Sequence, residues 1–213
     1  MSRARFFFLI YVLTFLTACG NDRIILDSPD VLFHDEFTAG QTGAWQVEGD
    51  DRGRTAVQGD HLVISIEEPN LLQYAALAEP LFDDFALQVD ATLLAGDPES
   101  SYGVLFRKSG DQFYRFAITG RGLFVLERHN IDGTWTRFFE DWRETSAIKQ
   151  GVGATNRLKV TARGGDFSFY VNDELLLQVN DGSYASGQIA LAAGTFGRAG
   201  LQVAFDNVVV TRP

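Results

Sequence analysis

One cysteine, five prolines, three histidines and one methionine are spread over 213 residues. With Cys19 alone no disulfide can close within the chain, so stability has to come from packing, with a bound metal as the available supplement. His34, His61 and His129 stand apart from one another, without a second residue at metal-ligand spacing, and read as surface or half-buried polar groups rather than as bases. No Gly-x-Ser-x-Gly elbow occurs, which removes a serine nucleophile of that type. Positive charge is also scarce: 18 Lys and Arg against 28 Asp and Glu give a net charge of −10. An acidic chain without a basic stripe excludes nucleic acid as a partner and makes direct adhesion to anionic lipid unfavourable. No apolar run reaches the roughly 20 residues that span a bilayer. Beyond the amino terminus, no stretch shows the periodicity of a good amphipathic helix.

What is present is aromatic and turn-rich. The chain is 46% apolar, with 18 Phe and 21 Gly, a composition suited to short strands packed through aromatic rings. The plainest stretch runs from Asn156 to Val179. Leu158 to Ala162, Asp166 to Val171 and Leu175 to Val179 are three runs joined at Gly164-Gly165 and Asn172-Asp173, which read as tight hairpin turns. Phe167, Phe169 and Val171 alternate with Ser168 and Tyr170, so one face is apolar. Since no helix offers to cover that face, the expected partner is a second sheet. About fourteen such runs between Val31 and Val210 predict an all-β fold, a two-sheet antiparallel sandwich of jelly-roll type. The longest irregular connection is expected from Glu140 to Ala154. Glu48 to Arg54 reads as turn.

The amino terminus has a different character. Arg3 and Arg5 precede an apolar run from Phe6 to Phe15 and then Leu16-Thr17-Ala18-Cys19, the anatomy of a secretory signal. The last four residues resemble the lipobox of bacterial lipoproteins, whose cysteine becomes the acylated first residue after cleavage. The resemblance implies residues 1–18 as signal, Cys19 as the lipidation site, residues 19–30 as a tether, and residues 31–213 as one domain. Several acyl chains on one residue anchor stably. The tether from Gly20 to Asp30 extends at most about 35–40 Å, which would keep the domain close to a membrane of the cell envelope, on the extracytoplasmic side. Loss of the two signal arginines leaves 16 basic residues against 28 acidic.

The middle of the chain supplies the candidate ligand surface. Tyr102, Val104 and Phe106 share a face, as do Tyr114, Phe116 and Ile118, which places Arg107 and Arg115 on the opposite side together with Glu127. Trp135 and Trp142 lie in or beside the long connection and are expected at the rim. Aromatic rings against sugar C–H faces, with arginine and carboxylate for paired hydroxyls, make a glycan the expected ligand of this set. An ordinary charged sheet face fits the same residues.

Taken together, FHDEF, Trp45, GDHLVI, YGVLFR, FYRF, NRLKV, FYVND and FDNVVV resemble the concanavalin A-like lectin/glucanase superfamily, including laminin-G-like domains and the domain named for 3-keto-disaccharide hydrolases. The resemblance covers nearly all of residues 31–213. Its family-16 glycosidases carry Glu-x-Asp-x-x-Glu on a strand, two carboxyl groups set for retaining hydrolysis. Only Glu48-Gly49-Asp50 begins that pattern here, and Gly53 stands where the second Glu belongs. The resemblance also implies a structural calcium ion joining the two ends of the domain, with Glu36, the carbonyl of Gly59 and Asp206 at the matching positions. The expectation is therefore a lipoprotein with a non-catalytic, lectin-like domain. A glycosidase-like hydrolase of modified sugars and a purely structural or protein-interaction lipoprotein are the alternatives.

Overall fold

A computed structural model describes Ser28 and residues 30–213; Cys19, the signal and most of the tether lie outside the described residues. Sixteen strands follow one another without any helix among the described residues. The first eight are β1 (Val31–Asp35), β2 (Trp45–Gln46), β3 (Gly53–Gln58), β4 (His61–Ile66), β5 (Leu72–Leu77), β6 (Phe85–Ala95), β7 (Ser101–Ser109) and β8 (Gln112–Thr119). The rest are β9 (Leu123–His129), β10 (Trp135–Arg137), β11 (Arg143–Glu144), β12 (Thr155–Arg163), β13 (Asp166–Val171), β14 (Glu174–Asn180), β15 (Gln188–Gly194) and β16 (Leu201–Thr211).

They form two antiparallel sheets of eight. One runs β14-β13-β12-β6-β16-β4-β3, with β1 also on β16; the other runs β10-β9-β8-β7-β15-β5-β2, with β11 also on β9. The expected sandwich is what forms. β16 is long enough to hold β4 along its first half and β1 along its second, so both ends of the domain meet on one strand. The hairpins at Gly164-Gly165 and Asn172-Asp173 sit where the sequence places them. Asn172 and Asp173 both take positive φ, as a two-residue hairpin loop requires.

Phe167, Phe169 and Val171 point between the sheets, where Phe106 meets Phe167 at 5.4 Å and Phe116 meets Phe169 at 5.0 Å between ring centroids. Removing each such ring from water contributes about 1.5–3 kcal/mol. This aromatic layer, rather than any covalent link, holds the two sheets together. The outer face of the second sheet is polar only in part, however. Ala76, Leu105, Phe113, Ala190 and Ala192 form a separate buried cluster there, with Leu72 and Tyr74 against it. That sheet is therefore apolar on both sides near its centre.

Two elements depart from expectation. Gly53 opens β3, pairing with Ile66, instead of lying in a turn. Gly49 faces Arg54 so closely that an added Cβ would stand 2.4 Å from the Arg54 Cα, so the tight approach selects glycine. β11 interrupts the connection expected to be irregular, and its two residues pair with Phe124 and Leu123.

Candidate functional site

Register sets the site. Arg115 on β8 lies opposite Leu105 on β7 and Glu127 on β9, and Glu127 lies opposite Arg137 on β10. Their neighbours Tyr114, Phe116 and Leu126 belong to the core, so alternation turns this row onto the outer face of the second sheet. Arg115 Nη1 donates to Glu127 Oε2 at 2.7 Å, its Nη2 donates to Ser101 Oγ at 2.5 Å, and Arg137 Nε donates to Glu127 Oε1 at 3.2 Å. Both carboxylate oxygens are thus held by arginine. Arg115 and Glu127 are buried, at 7% and 6% exposure, whereas the Arg137 side chain is half exposed. Burial pulls the Arg115 guanidinium down from its ordinary value, and the adjacent Glu127 charge acts the other way.

The walls come from two loops. After β9 the chain turns at Asp132-Gly133, where Asp132 Oδ1 accepts the Thr134 amide at 3.0 Å and Gly133 takes a φ of +81°. This places Trp135 opposite His129, with ring centroids 4.7 Å apart. The chain leaves β10 and returns as β11 against the first part of β9, which carries Trp142 to the rim with its ring 5.9 Å from the Arg115 guanidinium. On the other side, Thr195 Oγ1 donates to the Glu68 carbonyl at 2.7 Å and accepts from the Leu71 amide at 3.1 Å, fixing the loop that carries Phe196. Phe196 meets Trp142 edge to face at 6.0 Å. The result is a groove of about 340 Å³, lined by Arg115, Glu127, Arg137, Trp135, Trp142 and Phe196 and bounded also by Leu71, Leu72 and Ser101.

Four of the five residues expected at the ligand surface, Arg115, Glu127, Trp135 and Trp142, therefore come together. Arg107 does not. A bulge between Phe106 and Ser109, with Arg107 at φ +50°, breaks the alternation and turns this side chain inward. Its guanidinium is 2% exposed, donates to the carbonyls of Tyr184 at 2.7 Å and Asp83 at 2.9 Å, and lies 4.9 Å from the Phe167 ring centroid. It is a brace for the loops at one end of the sandwich. Arg137, Ser101 and Phe196 are groove residues that sequence reasoning missed; Arg137 carried a signal, since it stands two residues beyond Trp135 on the same strand.

The positions expected for calcium approach one another through register. Asp35 pairs with Val208, so Glu36 follows toward the bulge at Asp206 to Asn207, and Leu62 pairs with Phe205, which brings the Gly59 turn to the same corner. Asp206 there accepts the Asn207 amide at 2.7 Å, and Asn207 Nδ2 also donates to Asp90 at 3.1 Å. Among the described residues no three His, Cys, Asp or Glu converge as a metal-binding group, so any ion at this corner would rely on carbonyl or solvent oxygen as well as on the two carboxylates. None of Glu48, Gly49 and Asp50 lines the groove, and Asp50 forms an exposed ion pair with Arg52 at 2.9 Å.

No protein-family model matches the chain, and no protein of curated function matches it. Solved structures do. The carbohydrate binding module CBM66 from Bacillus subtilis superposes with a TM-score of 0.61 at 18% identity, over 82% of this chain and 99% of that one. A Bacillus subtilis protein of unknown function with a galectin-like fold gives 0.64 at 12%, over 85% and 96%. The Bacillus licheniformis β-glucanase gives 0.60 at 11%, over 85% and 98%. At these identities the likeness is one of fold alone: the domain is a two-sheet jelly roll sharing the galectin-like fold of these structures.

Proposed function

We propose that this domain captures glycans in the groove on its second sheet and performs no chemistry on them, serving as the outward part of a lipoprotein anchored at Cys19. The observation that carries the reading is the pairing of three aromatic walls, Trp135, Trp142 and Phe196, with planar guanidinium groups at the floor. Aromatic faces take the C–H side of a sugar ring while fixed polar groups select its hydroxyls. A volume of about 340 Å³ falls within the range of small-molecule sites. The likeness in fold to a carbohydrate binding module supports the same reading.

Capture is favoured over hydrolysis by the count of carboxylates. Retaining glycosidases need two carboxyl groups about 5–5.5 Å apart, and inverting ones need two somewhat farther apart. Among the described residues, Glu127 is the one carboxylate that lines the groove, with both oxygens engaged by arginine. The test is a panel of defined oligosaccharides against the full chain in mild detergent, with and without calcium. The expected result is saturable binding without release of new reducing ends, weakened about tenfold or more by Trp142→Ala. Turnover of any glycan would replace this reading with a hydrolase, and an absence of binding to the whole panel would remove it. The calcium clasp through Glu36, the Gly59 carbonyl and Asp206 belongs to the same proposal as a structural element away from the groove.

A further inference from the structure

The groove has a charge opposite to that of the chain around it. Its lining holds two arginines and one carboxylate, in a protein whose net charge is −10. That carboxylate is already spent: Arg115 holds one oxygen of Glu127 and Arg137 the other, so Glu127 has little left to offer a ligand hydroxyl. Arg137 is in the reverse position. Only its Nε is engaged, its two terminal amino groups have no protein partner among the described residues, and its side chain is 49% exposed beside Trp135. The lining itself therefore carries a local excess of positive charge, with Asp141, which accepts the Trp142 amide at 2.8 Å, as an acidic neighbour at the rim.

Resting on the glycan-binding reading, we propose that the groove selects sugars bearing a carboxylate, of the uronic acid class, with the free fork of Arg137 as the anion-binding element. The planar guanidinium matches a carboxylate through two parallel N–H donors. Trp135 and Trp142 supply apolar faces for the ring that carries it. Arg115 takes no direct part in anion binding; its role is to hold Glu127, which in turn orients the Arg137 Nε.

The experiment compares a galacturonic acid oligosaccharide with a neutral cello-oligosaccharide of equal length, titrated into the full chain in mild detergent. The acidic probe is expected to bind at least about tenfold more tightly, an advantage that shrinks as salt rises from 50 to 500 mM, roughly as lost charge-assisted hydrogen bonds imply. Arg137→Gln, a change on an exposed strand edge that leaves the melting temperature within a few degrees, abolishes that preference, while Arg137→Lys restores part of the salt-dependent component without the full affinity. Equal or tighter binding of the neutral probe, without salt dependence, overturns the anionic selectivity and leaves glycan capture standing. Binding of neither probe nor any member of the wider panel overturns both.

Discussion

Removing the Glu127 carboxylate tests whether the charged row is kept for ligand or for stability. In Glu127→Met, Arg115 is left 7% exposed with Ser101 Oγ as its remaining side-chain partner. Stripping one partner from a buried pair costs about 3–5 kcal/mol, and water entering from the groove reduces this to about 3 kcal/mol. In Arg115→Met, by contrast, Glu127 keeps Arg137 at 3.2 Å, so the loss should be about 1–2 kcal/mol. The double substitution removes both charges and fills the space with apolar volume, which is often neutral or stabilising. For a domain of this length 1 kcal/mol corresponds to about 2–4 °C, so thermal melts should show roughly 6–12 °C lost in Glu127→Met, about one to two thirds of that in Arg115→Met, and near recovery in the double variant. The recovered double variant should nevertheless lose most of its preference for the acidic probe, because Arg137 Nε no longer has the Glu127 carboxylate that orients it. Equal losses in the two single variants, or a double variant as unstable as their sum, would refute the reasoning.

Other expectations follow from the fold. At Gly187 an added Cβ would stand 2.5 Å from the Arg107 carbonyl carbon, so Gly187→Ala should cost about 1–3 kcal/mol by forcing the bulge apart, read as a lower urea midpoint. Burial acts to raise the Asp181 carboxyl, but hydrogen bonds from Ser183 and Tyr114 and the Arg128 charge outweigh it and hold it below its ordinary 3.8. A depressed folded value stabilises above the unfolded one and is lost as pH falls through the folded one, so Asp181→Asn should flatten the fall of melting temperature below about pH 4. Tyr114, pushed up to about 12 chiefly by burial, acts in the opposite direction: its contribution is full below about pH 10 and lost as pH rises toward 12, and Tyr114→Phe should reduce the alkaline dependence, leaving the part due to Tyr102, which burial also raises to about 12. A calcium clasp predicts a chelator-dependent drop in melting temperature that Asp206→Ala abolishes; identical melts with and without chelator would remove it.

The sequence made the architecture legible wherever alternation was uninterrupted. β13 shows Phe167, Phe169 and Val171 on one side with turns at both ends, and β8 and β9 place Arg115 beside Glu127 by period alone. Arg107 escaped because a bulge adds one residue and reverses every inference of facing beyond it, and nothing in Phe106-Arg107-Lys108 marks the bulge. Gly53 read as turn because glycine is weak in strands, yet here its missing side chain leaves room for Leu71, whose Cδ2 lies 3.0 Å from where a Cβ would be. Phe196 had no local signature, since a loop tied back through Thr195 to Leu71, across most of the chain, gives no periodic trace. Arg137 is legible from the pattern: two residues after Trp135 on one strand, it shares that face.

The most direct measurement follows the three tryptophan indole N–H resonances while a groove-binding oligosaccharide is titrated in. Trp45 is an internal control, buried in the core with its Nε1 donating to Asp35 at 3.0 Å, whereas Trp135 and Trp142 line the groove. Saturable shifts of Trp135 and Trp142 with Trp45 unmoved are the result predicted; shifts confined to Trp45, or binding that leaves Trp135 and Trp142 unchanged, would contradict it.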